Sequence, residues 1–397
     1  MSSRRHGRTA RLRVINRSHL DDIDHGKVIH DEDFERFRIW LRERGYPKSK
    51  ITLAEFKGMM ATVDLKPGDT LVSVPRNIMI TASDVAKRLG AGHQLDANQL
   101  LVLEICDLKR QGTKSSWWPY VKLLPRDFDT MPVTYPSDVL DSAVPHHMQG
   151  EIREQRAKID ADYQRTISYM KRAKTYAGVD LTNQEYQWAW LCGSEEKSIT
   201  GSNIALAPML DFLNHKCDAK PPLSLNVVTI TKPILLISGL LCHIAAVNSA
   251  IALDDQMEKL LSRLRASGTL GALKIKLLQD TGDYTIRKDE ISFRTLSALR
   301  LILAANSAQC TAWERVVMGS QDIISSDIEK QVGQLLTDMC RNTSKQSERA
   351  LTYLEVDSDL KNSLNRYALL FLKILWKEYQ DIAYTAQNEL IHNSLSH

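Results

Sequence analysis

Ile328, Val332, Leu335, Leu336 and Met339 recur at offsets of 4, 7, 8 and 11, and Leu364, Ala368, Phe371, Leu372 and Leu375 repeat those offsets further on. A period near 3.6 puts each set on one stripe of a helix, and a stripe that apolar must be buried against another element. From Asp254 onward the pattern is helical almost throughout, with polar loops predicted near Gly319 and over Asn342 to Ser347. No unit repeats at a fixed period, so the second part of the chain reads as a helical bundle or solenoid-like domain.

Ahead of Asp254 the pattern is mixed. Asp31 to Arg44 reads as a short amphipathic helix presenting Phe34, Phe37, Trp40 and Leu41, with Asp31 or Asp33 as its N-cap and Gly45 as its stop. Met59 to Val63 and Thr70 to Pro75 read as two strands around a Lys66 to Asp69 turn. Residues 82 to 112 and 137 to 172 return to helix, Trp117 to Tyr120 is an aromatic loop, and Asn203 to His215 holds the densest apolar-polar motif.

Bulk properties narrow the function. The 397 residues are 43% hydrophobic and 25% charged, and a net charge of +4 is too small to argue for nucleic-acid binding by the whole chain. Arg4, Arg5, Arg8, Arg11 and Arg13 form a basic tail, read as a solvated terminus or a nuclear-localisation patch. The six cysteines include no CxxC pair, which fits reduced thiols and excludes a familiar zinc framework. Pro233 to Leu253 runs 21 residues without a formal charge. That is long enough to span a bilayer, but Ser238, Gly239, His243, Asn248 and Ser249 dilute it, and a soluble chain is expected.

Four segments carry a family resemblance. They are Lys57 to Ala61 followed by Asp64 to Asp69 and Val74-Pro75; Trp117 to Tyr120 with Leu123 to Pro125; Tyr186 to Trp190; and Ala205 to His215. Their order and spacing resemble the SET-domain protein-lysine methyltransferases, in the branch of the Rubisco large-subunit enzyme. Asp255 to Met257, Leu296 to Leu301 and Trp313 are similar to that branch's substrate-binding domain.

The resemblance implies an α+β protein. A β-rich SET core over 31–253, with a helical insertion at about 82–200, would be followed by an all-α substrate-binding domain over 254–397. Residues 1–30 would form the basic, disordered tail. The implied cofactor is S-adenosyl-L-methionine, which carries the reactive methyl while the protein supplies orientation and electrostatics. The amine must arrive neutral, because an ammonium has no lone pair to attack with. The implied cofactor contacts are Gly58 and Met59, after the first strand, and the pair Asn214 and His215. Asp211 is expected to tune local structure, and Trp117 and Tyr120 to pack. No catalytic residue is assigned. No metal is expected, since His146, His147 and His215 lack ligand spacing and the reaction needs none.

Three departures fall on the implied site. Glu55-Phe56-Lys57-Gly58 lacks the family's two glycines separated by an arginine. Leu191 to Ser202 lacks its asparagine-threonine/serine-arginine element. Lys216 to Leu253 contains no tyrosine, where the family places the tyrosines that shape the lysine channel; the flanking tyrosines are Tyr186 and Tyr284. The expectation is therefore a protein-lysine methyltransferase by family, with poor turnover as written. A protein-histidine methyltransferase and a non-catalytic protein-binding relative stand as alternatives. The expected partner is a protein, histone or other, with no nucleic acid or membrane required, and the expected location is cytoplasmic and nuclear.

Overall fold

The computed structural model describes residues 31–53, 59–66, 69–90, 92–176, 178–193, 198–200, 203–212, 251–265, 268–278, 284–356 and 364–391. These are mostly helical, with a few short strands, and they divide into two compact units. Described residues 31–126 and 165–212 make the first unit; 127–164 and 251–391 make the second.

In the first unit, α1 (Glu32–Glu43) begins at Asp31, whose carboxylate accepts from the amides of Asp33 at 2.6 Å and Phe34 at 3.2 Å. Such a cap typically contributes about 1 kcal/mol. The helix buries Phe34, Phe37, Trp40 and Leu41, and Gly45 ends it in the left-handed region at φ +78°. β1 (Ile51–Leu53) pairs antiparallel with β2 (Met59–Ala61), Ile51 opposite Ala61 and Leu53 opposite Met59.

The expected strand over Thr70 to Pro75 does not form: those residues carry no ladder, and β2 pairs backward with β1 instead. The alternation there is satisfied sideways, because Val72 and Val74 pack on Ala207 and Leu210. The neighbouring turn does close, with the Asp69 amide donating to the Lys66 carbonyl at 3.0 Å and Lys50 reaching the Asp69 carboxylate at 2.5 Å.

A three-stranded antiparallel sheet follows, made of β3 (Ile80–Thr81), β4 (Ser198–Thr200) and β5 (Asn203–Leu206), with β5 in the middle. The helix expected over 82 to 112 is two, α2 (Ala82–Leu89) and α3 (Ala97–Gln111), because Gly90 and Gly92 both take positive φ. A capping box restarts the chain: the Asp96 carboxylate accepts from the Gln99 amide while the Gln99 side chain accepts from the Asp96 amide. Leu100 to Cys106 are all buried in α3, which marks a helix wrapped on every side. The short α4 (Trp118–Val121) packs near it.

Pro145 splits the helix expected over 137 to 172 into α5 (Ser137–Ala143), which lies in the second unit, and α6 (His146–Arg172), which starts in the second unit and ends in the first, the division falling at Arg165. Proline offers no amide and pushes the residue before it out of the helical region, and Val144 is extended at ψ 137°. The first unit's α7 (Asn183–Gly193) contains the Tyr186 to Trp190 segment. β6 (Ile251–Ala252) precedes α8 (Asp254–Arg265) and α9 (Gly268–Leu277) and pairs with β7 (Thr285–Ile286), a short ladder in an otherwise helical region. Then come α10 (Phe293–Leu303), α11 (Ser307–Val317), α12 (Ser326–Val356) and α13 (Arg366–Thr385).

Both predicted stripes face the core: Ile328, Val332, Leu336 and Met339 on α12, Ala368, Leu372 and Leu375 on α13. Each fully buried leucine contributes about 1.5–3 kcal/mol relative to exposure. The loop expected over Asn342 to Ser347 is instead the middle of α12. Its hydroxyls fold back on the helix, Thr343 donating to the Met339 carbonyl at 3.1 Å and Ser347 to that of Thr343 at 2.9 Å, so polarity there does not interrupt the helix. A buried Arg300–Glu329 pair ties α10 to α12 through N–H···O contacts of 2.9, 3.1 and 2.9 Å.

Of the described helices, none is long and apolar enough to cross a membrane. The charge-free stretch over 233–253 and the arginine-rich tail lie outside the described residues, except for 251–253.

Candidate functional site

β5 delivers the chain into a tight turn over residues 207–212, the last described residues before Asn214 and His215. The amides of Leu210 and Asp211 both donate to the Ala207 carbonyl, at 3.0 and 3.1 Å. Inside the turn Met209 is buried and sits at φ +73°. The left-handed region costs an L-residue about 1–2 kcal/mol, so the surroundings must hold it there.

Asp211 is the holder. Its Oδ2 accepts from the Ala207 amide at 3.0 Å and from the Tyr120 hydroxyl at 2.6 Å. A carboxylate bridging its own turn to a buried phenol fixes the backbone from both ends, and charge-assisted bonds are the stronger kind. The role expected of Asp211, tuning local structure, is the one its contacts describe.

Aromatic rings brace the same point. Phe212 meets Phe37 edge-on at 6.0 Å and Tyr120 at 6.3 Å; Phe37 stacks on Trp40 at 5.8 Å, and Trp40 lies 5.3 Å from Trp117. Edge and offset geometries of this kind add about 0.5–1.5 kcal/mol per pair beyond area. Trp117 and Tyr120 thus pack within a cluster instead of lining a ligand cage. Trp188 is anchored too: its indole N–H donates to the Pro125 carbonyl at 2.8 Å, and the Lys109 ammonium lies 3.3 Å from its ring centre.

Of the residues implied as cofactor contacts, Met59 is described through its backbone, in β2 opposite Leu53. Gly58, Asn214 and His215 lie outside the described residues, as do half of Leu191 to Ser202 and most of Lys216 to Leu253. The Tyr120–Asp211 bridge and the Met209 conformation were not anticipated; the two bridge residues are 91 positions apart, and no local pattern links them.

One further acid-phenol pair lies in this unit. The Tyr176 hydroxyl donates to Asp107 at 3.0 Å, and burial raises the carboxyl of Asp107 above the usual carboxylate range and lifts the Tyr176 phenol as well. Burial also pushes the neighbouring Cys106 thiol up to about 12. Among the described residues, no group of three or more His, Cys, Asp or Glu side chains is placed to hold a metal ion.

No protein-family model matches the chain. In sequence it is similar to SET domain-containing protein 4 of Homo sapiens, 24% identical with 98% of each chain covered, and of Mus musculus, 24% identical with 90% of this chain and 91% of that one. It is also similar to the ribosomal lysine N-methyltransferase set11 of Schizosaccharomyces pombe, at 25% identity over 68% of this chain and 74% of that protein. In fold it matches the SET domain of LSMT bound to lysine and AdoHcy, with a TM-score of 0.58 at 16% identity, covering 92% of this chain and 93% of that one.

Proposed function

We propose that this chain, which is similar over nearly its whole length to SET-domain methyltransferases, transfers a methyl group from S-adenosylmethionine to a lysine side chain of a protein. The observation that carries this reading is the whole-length fold match to a SET enzyme holding lysine and AdoHcy. The cofactor supplies an electrophilic methyl on its sulfonium, and the protein's task is to hold the amine neutral and in line.

Gly58 and Met59 would accommodate the cofactor by backbone approach, and Asn214 and His215 by the donor and acceptor atoms of an amide and an imidazole. The described scaffold suits that assignment in one respect. A strained, buried turn, clamped by Asp211 and Tyr120, precedes Asn214 and His215 in the sequence. Preorganisation of this kind lowers the ordering cost of binding. In the same reading the short-stranded first unit carries the SET core with part of its helical insertion, and the helices of the second unit, which takes residues 127–164 of that insertion, present the protein acceptor. The arginine-rich tail from Arg4 to Arg13 supports a location that includes the nucleus as well as the cytoplasm.

Slow turnover is part of the proposal. Lys216 to Leu253 brings no tyrosine to shape a lysine channel. The test uses the purified full chain with methyl-labelled S-adenosylmethionine and cell extract, beside a Gly58→Ala/His215→Ala double variant. Transfer above the double variant, with mass spectrometry placing the label on lysine, is the expected result. Label on histidine would replace the acceptor. Calorimetric binding of S-adenosylhomocysteine without transfer would make the chain a non-catalytic binding protein, and absence of both would end the reading.

A further inference from the structure

A second feature of the molecule lies wholly within the second unit and is independent of the methyl-transfer reading. A cavity of about 420 Å³ opens among the starts of α6 and α8, the middle of α12 and α13. That volume falls at the small end of the range for small-molecule sites. We propose that this cavity binds a small aromatic anion, a ring bearing a carboxylate or phosphate.

The floor of the cavity is built from buried side chains. Trp376, Tyr379, Thr343 and Ile251 are all buried, and each lines it. Trp376 and Tyr379 stand edge to face at 5.7 Å, and His147 stacks on Tyr379 at 6.2 Å with 17° between planes. The Trp376 indole N–H is already committed to the Ala143 carbonyl at 2.7 Å, and the Tyr379 hydroxyl lies 3.3 Å from His147 Nε2. These bonds fix the rings before any ligand arrives, leaving aromatic surface as the attraction for a flat guest.

The rim selects the charge. His146, Glu258, Lys259, Ser262 and Gln346 line the cavity and are exposed. Glu258 is already neutralised by an ion pair with Arg265. Lys259 has no carboxylate within ion-pair distance among the described residues. His146 and His147 add imidazoles that carry no negative charge in either protonation state, and Gln346 adds a neutral donor, while the Ser262 hydroxyl already donates to the Lys259 carbonyl at 2.9 Å. The rim is therefore cationic on balance over an aromatic floor. A ring with an acid group satisfies both halves, whereas an aromatic amine would meet Lys259 with like charge.

The test uses the full chain and three probes of similar size, phenyl phosphate, benzoate and benzylamine, by saturation-transfer NMR and titration. The expected result is transfer to the ring protons of phenyl phosphate and benzoate, none to benzylamine, and about tenfold weaker phenyl phosphate binding in Lys259→Ala. Lys259 is exposed, so the variant should fold, and an unchanged circular dichroism spectrum checks this. Absence of transfer from both anions at millimolar concentration would overturn the proposal. So would benzylamine binding as well as phenyl phosphate, or a folded Lys259→Ala chain with unchanged affinity.

Discussion

Replacing Tyr120 by phenylalanine removes one oxygen from a fully buried ring and nothing else. The ring keeps its place against Phe37 and Phe212, so no cavity opens. What is lost is the 2.6 Å bond to Asp211, whose part-buried carboxylate keeps its bond from the Ala207 amide. Hydrogen bonds to a charged group contribute about 1.5–3 kcal/mol, so the turn should open more readily by that amount. At 1.4 kcal/mol per tenfold, hydrogen exchange of the Ala207 amide should accelerate by about 10- to 150-fold. The measurement is native-state exchange by mass spectrometry on a peptide spanning residues 203–212, with a peptide from α12 as internal control. Asp211→Asn completes a double-mutant cycle, and coupling between the two sites is expected because they share one bond. Acceleration below twofold, or equal acceleration in the α12 peptide, would refute the claim that this bridge locally holds Met209 in its left-handed conformation.

Other outcomes follow from buried chemistry elsewhere. Glu329→Ala should destabilise the second unit by about 3–5 kcal/mol in urea titration, because it strands Arg300, only 9% exposed, without its partner; Arg300→Met with Glu329→Leu should recover most of that loss. Asp107 is raised by burial, so its contribution to stability is full below pH 3.8 and is lost as pH climbs through the folded-state value. Asp107→Asn should therefore gain on the wild type at neutral pH, and the gap in melting temperature should close on acidification. Burial pushes the thiols of Cys106 and Cys340 up to about 12, so iodoacetamide at pH 8 should leave both unmodified in the folded chain and label them in urea.

Local signals in the sequence are decisive where one residue settles one event. Asp31 caps α1, and the stripes of Ile328 to Met339 and Ala368 to Leu375 bury as their spacing requires. Gly90 and Pro145 also act locally, breaking helices that the apolar pattern alone would run together. Thr70 to Pro75 shows the limit of that logic, since alternation is satisfied equally by a ladder or by packing on Ala207 and Leu210. Asn342 to Ser347 shows another, because hydroxyls that suggest a loop can bond back to their own helix. At the candidate site the motif Ala205 to His215 was legible as a unit, but its anchor was not. Asp211 finds Tyr120 only once the chain is folded, and a left-handed methionine leaves no mark on residue order. The grouping of residues 127–164 with the second unit is likewise a matter of partners, and a helix's own period does not name its partner.

The bond from the Trp376 indole to the Ala143 carbonyl spans 233 positions. On a ribosome adding about 5–20 residues per second, α5 waits roughly 12–50 seconds for α13 to be made. Through that interval Ala143, buried in the finished protein, lacks the indole that its carbonyl will bind. The second unit thus needs α13 before this contact can form, and a chain released before Arg366 should depend on chaperones and be cleared by proteases, however sound its first unit.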